Sequence, residues 1–344
     1  MKIRLVRIII FTIIACSINF LELKASSGLN PLEWFLSKSG TSNTIQLNSD
    51  FEKKALVLEK KIIKYKSIDN KKGLQRVYKK IILNHPKALI AKEAAYNRGL
   101  YLFNKGKWES AFKALSILKE NHPDFLHLDS VIELQFQCAK NLMEQDYKGI
   151  FNFNKTSKYN AKSIPLFLDY VRLYPYDRKA PLALLNAAKI SQNDNELDTA
   201  IVSLRSLINH YPESPYAAEA YFLIAHIYSE FIKGPEYDLE STREAIRYCE
   251  DFIALYPNHK DIKTIEVLHS RLLNALATNR VLLADYYYFH RRDNIAAIIF
   301  YNEAITIAPQ SQAAIEAKER LDAIEIGIRP ATGQNFLKKL FFIN

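Results

Sequence analysis

Three histidines stand beside prolines in closely similar motifs: Asn84-His85-Pro86, Asn121-His122-Pro123 and Asn209-His210-Tyr211-Pro212. Imidazole is a common metal ligand and general base, so a row of such motifs invites a metal reading. Their placement opposes it. Each proline ends a helix-like segment, which puts the three rings at separate helix C-termini, near free carbonyls and the negative end of the dipole. No HExxH pair, paired CxxC, phosphate-cradling glycine loop or Gly-x-Ser-x-Gly elbow occurs in the chain. Carboxylates are plentiful but interspersed with lysine on polar faces, with no paired acid. The chain therefore reads as a non-enzyme with no metal, no cofactor and no catalytic residue.

The thiols carry the other chemistry. Lys2, Arg4 and Arg7 form a positive n-region, and Ile8 to Ala15 a short apolar stretch. At about 1.5 Å per residue, even Ile8 to Leu21 is too short to span a bilayer comfortably. The junction Ile13-Ile14-Ala15-Cys16 resembles a bacterial lipoprotein processing box, with isoleucine where leucine is more usual three places before the cysteine. On that reading residues 1–15 are a signal peptide and Cys16 is the lipid-modified first residue of the mature chain. A single acyl chain binds membranes only marginally, so the several chains of a bacterial lipoprotein make the adequate anchor. Ordinary cleavage after Ala25 is the rival, with Leu23 where a small residue is preferred. Cys249 sits at an apolar core position, and nothing in the sequence brings Cys138 to it.

The elements that position these residues are set by proline. Pro86, Pro123, Pro175, Pro212, Pro257 and Pro309 recur at intervals of 37, 52, 37, 45 and 52 residues. Twelve residues before them stand Ala111, Ser163, Ala200, Ala245 and Ala297, with Leu74 the large exception. Eight before come Tyr78, Leu115, Phe167, Leu204, Cys249 and Tyr301. Alanines follow at five and eight places after four of the prolines. One supersecondary unit is copied about six times, which predicts an all-α solenoid of tetratricopeptide-like helix-turn-helix repeats, five to six in number, closed by a capping helix near Gln312 to Ile324. Apolar residues at 49% and charged residues at 24% suit a folded chain, and nine glycines in 344 residues favour helices over a β-rich fold. The net charge of +10 comes from lysine spread along the chain, with tight clusters no larger than pairs such as Lys53-Lys54, Lys60-Lys61 and Lys79-Lys80. That reads as a generally basic composition in preference to a dedicated anion-binding stripe, and no nucleic-acid partner is expected.

The second unit shows the pattern in full. Ala91 to Asn104 reads as a first helix, Gly106 as the tight turn, and Trp108 to Glu120 as the second helix, ended by Pro123. The excess lengths fall at Asp146 to Asn160 and at Ile232 to Glu236, both rich in turn residues. The expected organisation is a signal segment at 1–15, a tether at 16–50, a repeat domain at 51–326 and a tail at 327–344. The tail ends in Phe336-Leu337-Lys338-Lys339-Leu340-Phe341-Phe342, which fits contact with a partner or membrane and equally packing on the last repeats.

The stretch Ala284-Asp285-Tyr286-Tyr287-Tyr288-Phe289-His290-Arg291, with Ala296-Ala297, Phe300 and Pro309-Gln310-Ser311, resembles the last repeat of the outer-membrane β-barrel assembly lipoprotein family, BamD. Tyr211-Pro212-Glu213-Ser214 followed by Ala217 and Ala220 is similar to that family's repeat junction. The likeness covers roughly residues 86–326. Arg292-Asp293-Asn294 stands where the family usually has a glycine. The resemblance implies a non-catalytic scaffold, lipid-anchored in the outer membrane and facing the periplasm. Its implied partners are the barrel-forming subunit, other assembly lipoproteins and unfolded outer-membrane proteins. On the repeat register Tyr96, Leu100 and Phe103 face a peptide groove or, equally, an inter-repeat core. Tyr286, Tyr287, Tyr288 and Phe289 are candidate partner contacts, since four aromatics on one turn cannot all enter one packing face. A different periplasmic repeat adaptor, coordinating cell-envelope or division enzymes, is the alternative. The short Phe51 to Tyr65 segment, which lacks sustained heptads, counts against it.

Overall fold

The computed structural model describes residues 57–145, 161–230, 232 and 239–327, and every regular element among them is helical. In chain order these are α1 (57–67), α2 (Lys71–Asn84), α3 (Ile90–Asn104), α4 (Trp108–Asn121), α5 (Leu128–Glu144), a 3-10 turn (Ala161–Ser163) running into α6 (Ile164–Leu173), α7 (Ala180–Asn193), α8 (Leu197–His210), α9 (Ala217–Glu230), α10 (Leu239–Leu255), α11 (Ile262–Asp285), a π-turn (Tyr286–Arg291), α12 (Asn294–Ile307) and α13 (Gln312–Glu325). Each proline of the series follows the second helix of a pair. The described residues form six pairs and one closing helix, the tetratricopeptide-like solenoid that the proline register predicts.

The described residues fall into two compact units, one of 57–101 with 117–126, the other of 102–116 with the residues from 127 onward. In the larger unit each helix from α5 to α13 packs on the next in sequence, and α13 also packs on α11. Helix α8 shows why. Ala200, Ile201, Ser203, Leu204 and Leu207 lie at helical spacing and are all buried, while Asp198, Val202, Arg205 and Asn209 are exposed on the opposite face. Helix α7 is buried on more than one side, with Ala180, Ala183, Leu184, Ala187, Ala188 and Ile190 all enclosed, as expected of a first helix wedged between neighbours. Helix α13 buries only Ala313, Ala314 and Ala317, as a closing helix should.

The alanine register has a steric cause. Ala111, Ser163, Ala200, Ala245 and Ala297 are each 0% exposed, whereas Leu74 is only half-buried, so nothing at that place demands a small side chain. The apolar position four residues later is filled by Tyr78, Leu115, Phe167, Leu204, Cys249 and Tyr301, all buried.

A second register governs the turns inside the pairs. Asp69, Gly106, Asn195 and Arg292 adopt left-handed φ values of 48°, 68°, 63° and 56°. Each lies the same seventeen residues before its proline. Arg292 thus occupies, in the conformation that favours glycine, the turn where the family's glycine is missing.

Candidate functional site

The junctions are built alike. The residue before each proline (His85, His122, Tyr174, Tyr211, Tyr256 and Ala308) donates its amide to the carbonyl four residues back and so closes the helix. Its own carbonyl then accepts an amide from three residues ahead, at Ala88, Phe125, Asp177, Ser214, His259 and Ser311. Two of the three histidine rings serve this scaffold. His122, 4% exposed, donates from Nε2 to the Pro86 carbonyl at 2.7 Å, since a carbonyl can only accept. His210 Nδ1 lies 2.9 Å from the Ser206 carbonyl of its own helix. Among the described residues no group of three His, Cys, Asp or Glu side chains is arranged to hold a metal ion. Cys138 and Cys249 are free, buried thiols, both pushed up to about 12 by burial, the second also by Glu250. Such thiols are inert.

The groove candidates share one face of α3. Tyr96, Leu100 and Phe103 are all half-buried. The Tyr96 ring lies 5.3 Å from that of Phe125, and Phe103 meets Trp108 edge-on at 4.9 Å. Both rings are thus already engaged within the chain, while part of each remains accessible.

The aromatic turn is divided by the π-turn that ends α11. Arg292 donates its amide to the Tyr287 carbonyl, five residues back, and Asp293 donates to the same oxygen at 3.0 Å. Along that widened turn the four rings meet different surroundings, although Tyr286 still touches Tyr287 edge-on at 5.7 Å. Tyr288 is buried at 4% exposure, Tyr287 stacks on Phe300 at 5.4 Å, and Phe289 lies against Tyr288 at 4.9 Å. Tyr286 remains 48% exposed. Beneath them the Tyr301 hydroxyl donates to Asp285 at 2.5 Å, and Arg320 approaches the same carboxylate at 3.6 Å. Burial first, then the bond to Asp285, pushes the Tyr301 phenol well above its ordinary range. The face beside the turn is apolar, with Ile295 and Ile299 exposed one helical turn apart on α12.

Two polar clusters had no sequence signal. Gln135, fully buried on α5, donates to the Phe112 carbonyl and the Ser116 hydroxyl on α4 and accepts from the Tyr174 hydroxyl. Arg205 on α8 donates to Tyr248 and Glu244 on α10 and to Tyr228 on α9. Three helices meet at that one guanidinium, whose fork supplies donors in several directions. Cys16, the 1–15 and 16–50 segments, the Asp146 to Asn160 insertion and the Phe336 to Phe342 tail lie outside the described residues. Among the described residues no helix is long and apolar enough to cross a membrane.

Helix pairs joined by a left-handed turn and closed by a proline junction define a tetratricopeptide-repeat protein, and residues 93–124 match the tetratricopeptide repeat model. Residues 139–326, from within α5 to the end of α13, match the model of the YfiO outer membrane lipoproteins, and the chain belongs to that family. No curated protein matches it significantly. Similar solved structures include a monomeric mutant of IFIT1 with Gppp-AAAA, 13% identical with a TM-score of 0.26, covering 73% of this chain and 58% of that one. Another is the human IFIT1 dimer with PPP-AAAA, 14% identical with a TM-score of 0.23, covering 72% of this chain and 57% of that one. The chain spans less than two thirds of the length of these structures, and at such scores the likeness says nothing of fold or ligand.

Proposed function

We propose that the chain is a non-catalytic scaffold of the outer-membrane β-barrel assembly machinery, anchored by lipid at Cys16 and facing the periplasm. It binds the barrel-forming subunit and receives unfolded outer-membrane proteins. Membership of the outer membrane lipoprotein family, over the repeats that carry the aromatic turn, is the observation that supports this most. The exposed Tyr286 of the turn and the exposed Ile295 and Ile299 of the helix that follows supply the kind of aromatic and aliphatic anchors on which interfaces depend. Tyr96, Leu100 and Phe103 suit an extended or helical peptide laid along α3.

Affinity capture from the detergent-solubilised envelope tests the reading. Recovery of the barrel-forming subunit is expected. Recovery of division or peptidoglycan proteins alone would replace it with the envelope-adaptor alternative. Labelling with a radioactive fatty acid tests the anchor separately, and label that persists in a Cys16→Ser variant would remove the lipoprotein assignment at that residue.

A further inference from the structure

The smaller unit holds a cleft of about 420 Å³ between α1 and the start of α2. Four cations line it: Lys61 from α1, and Lys72, Arg76 and Lys80 from α2. The α2 residues recur at intervals of four, which puts them on one helix face. Elsewhere Arg205 and Arg247 share the Glu244 carboxylate, and Arg280 meets Glu303. Here the lining contains no carboxylate. Glu59, two residues before Lys61, and Asp69, three before Lys72, are both outside the lining, and Asp69 stands 4.0 Å from Lys71.

The cleft is also built. Gly73 is buried, and a Cβ there would come within 3.0 Å of the Tyr65 ring, so glycine lets that ring approach α2 closely and wall the cleft. Asn70 caps α2 by accepting the Gly73 amide at 2.9 Å, which fixes the helix N-terminus at the cleft. That terminus adds its positive dipole end to the four side chains. Leu58 and Val77 form an apolar floor.

We propose that this cleft binds a phosphate-bearing anion, with Lys72 and Arg76 as principal ligands, Lys61 and Lys80 completing the charge, and Tyr65 walling the ester side. A phosphate group, as diester or free ion, presents more acceptor oxygens to the converging donors than a carboxylate does, and Arg76 can meet two of them in parallel. The source is either the phosphodiester headgroup of a membrane lipid or a soluble phosphate. The proposal is independent of the barrel-assembly reading, because a scaffold with any partner could carry the site.

The test uses the full chain with Cys16→Ser, so that lipidation does not bring it to membranes by itself. Binding is measured to inorganic phosphate and to phosphatidylcholine vesicles with and without phosphatidylglycerol. The exposed pair Lys72→Gln/Arg76→Gln and a second pair Lys61→Gln/Lys80→Gln are compared at matched thermal stability. A loss of tenfold or more in either variant supports the site. Vesicle binding that inorganic phosphate does not displace assigns it to the lipid headgroup, and displacement assigns it to soluble phosphate. Wild-type affinity in both variants, no binding of either probe by the parent chain, or tighter binding of polyglutamate than of both probes would overturn it.

Discussion

Tyr211 donates its hydroxyl proton to the Pro175 carbonyl at 2.7 Å, from the residue before one proline to the proline of the preceding junction. His122 makes the same link to Pro86, also at 2.7 Å and also across 36 residues. These are the two places where successive prolines stand 37 residues apart. Each compact repeat is thus tied to the one before it by one side-chain hydrogen bond to a carbonyl that a proline turn leaves free. Tyr211→Phe keeps the ring and removes that bond, at an expected cost of about 1 kcal/mol. His122→Ala leaves the Pro86 carbonyl without its partner in a part-buried site and should cost about 1–3 kcal/mol. Hydrogen exchange resolves both, because protection should fall first at the Ala180 and Ala217 amides in the former and at Ala88 and Ala91 in the latter.

Arg292 carries the strain of a left-handed residue with a side chain. Arg292→Gly should raise stability by about 1 kcal/mol, since glycine takes that conformation without steric cost. Gly106→Ala should lose a similar amount, about 1 kcal/mol, through strain alone, because the nearest side-chain atom to a Cβ there lies 3.8 Å away. Chemical denaturation midpoints of the two variants should move in opposite directions.

The same comparison shows what was legible in the sequence. Alanine twelve before the proline and an apolar residue eight before it are packing requirements, and few residue types meet them, so both registers stand out. The left-handed position seventeen before the proline is equally regular in space. It is filled by Asp69, Gly106, Asn195 and Arg292. The first three are types that tolerate a left-handed φ, but arginine is not, and aspartate and asparagine recur throughout the chain, so no single register stands out. Gln135 and Arg205 were invisible for another reason. Their partners lie on neighbouring helices, 19 to 43 residues away, and no local spacing records such contacts. The basic cleft had a partial signal, since Lys60-Lys61 and Lys79-Lys80 each contribute one lysine, but only the hairpin brings Lys61 and Lys80 together. Tyr286 and Tyr288 fall on opposite faces already by helical spacing, but which of the two is buried depends on how α11 packs on its neighbours, and no local spacing records that.

Gln135 invites a double-mutant cycle. Gln135→Leu removes two donors and the acceptor for Tyr174 from a sealed site, and should cost about 1–3 kcal/mol. Adding Tyr174→Phe removes the stranded hydroxyl, so the double variant should be less unstable than the sum of the single ones. Strict additivity in the unfolding free energies would show that the Tyr174 bond contributes nothing.

His226 gives the fold a pH dependence. Its Nε2 is buried without a hydrogen-bond partner and its ring lies 4.5 Å from that of Phe222. Burial lowers its pKa below the ordinary 6.5, with Glu230 opposing and Arg271 reinforcing the shift. The unfolded chain therefore binds the proton more readily than the folded one. The stability contributed by neutral His226 is complete above about pH 6.5 and declines as pH falls toward the folded value. His226→Gln should flatten this part of the stability profile between pH 7 and pH 5, read from denaturation midpoints at each pH.

Tyr286 and Tyr288 separate partner binding from folding within one turn. Tyr288 is 4% exposed and packs in the cluster of Ala284, Ala297 and Tyr301, so Tyr288→Ala opens a cavity and should cost about 3–5 kcal/mol. Tyr286 is 48% exposed, so Tyr286→Ala should leave the unfolding midpoint nearly unchanged. If the aromatic turn docks the barrel-forming subunit, Tyr286→Ala and the exposed pair Ile295→Ser/Ile299→Ser should each reduce its recovery from the solubilised envelope at least tenfold. Tyr96→Ala should leave that recovery intact and instead weaken capture of unfolded outer-membrane protein. Undiminished recovery with Tyr286→Ala and with the isoleucine pair would move the docking surface away from the last repeat.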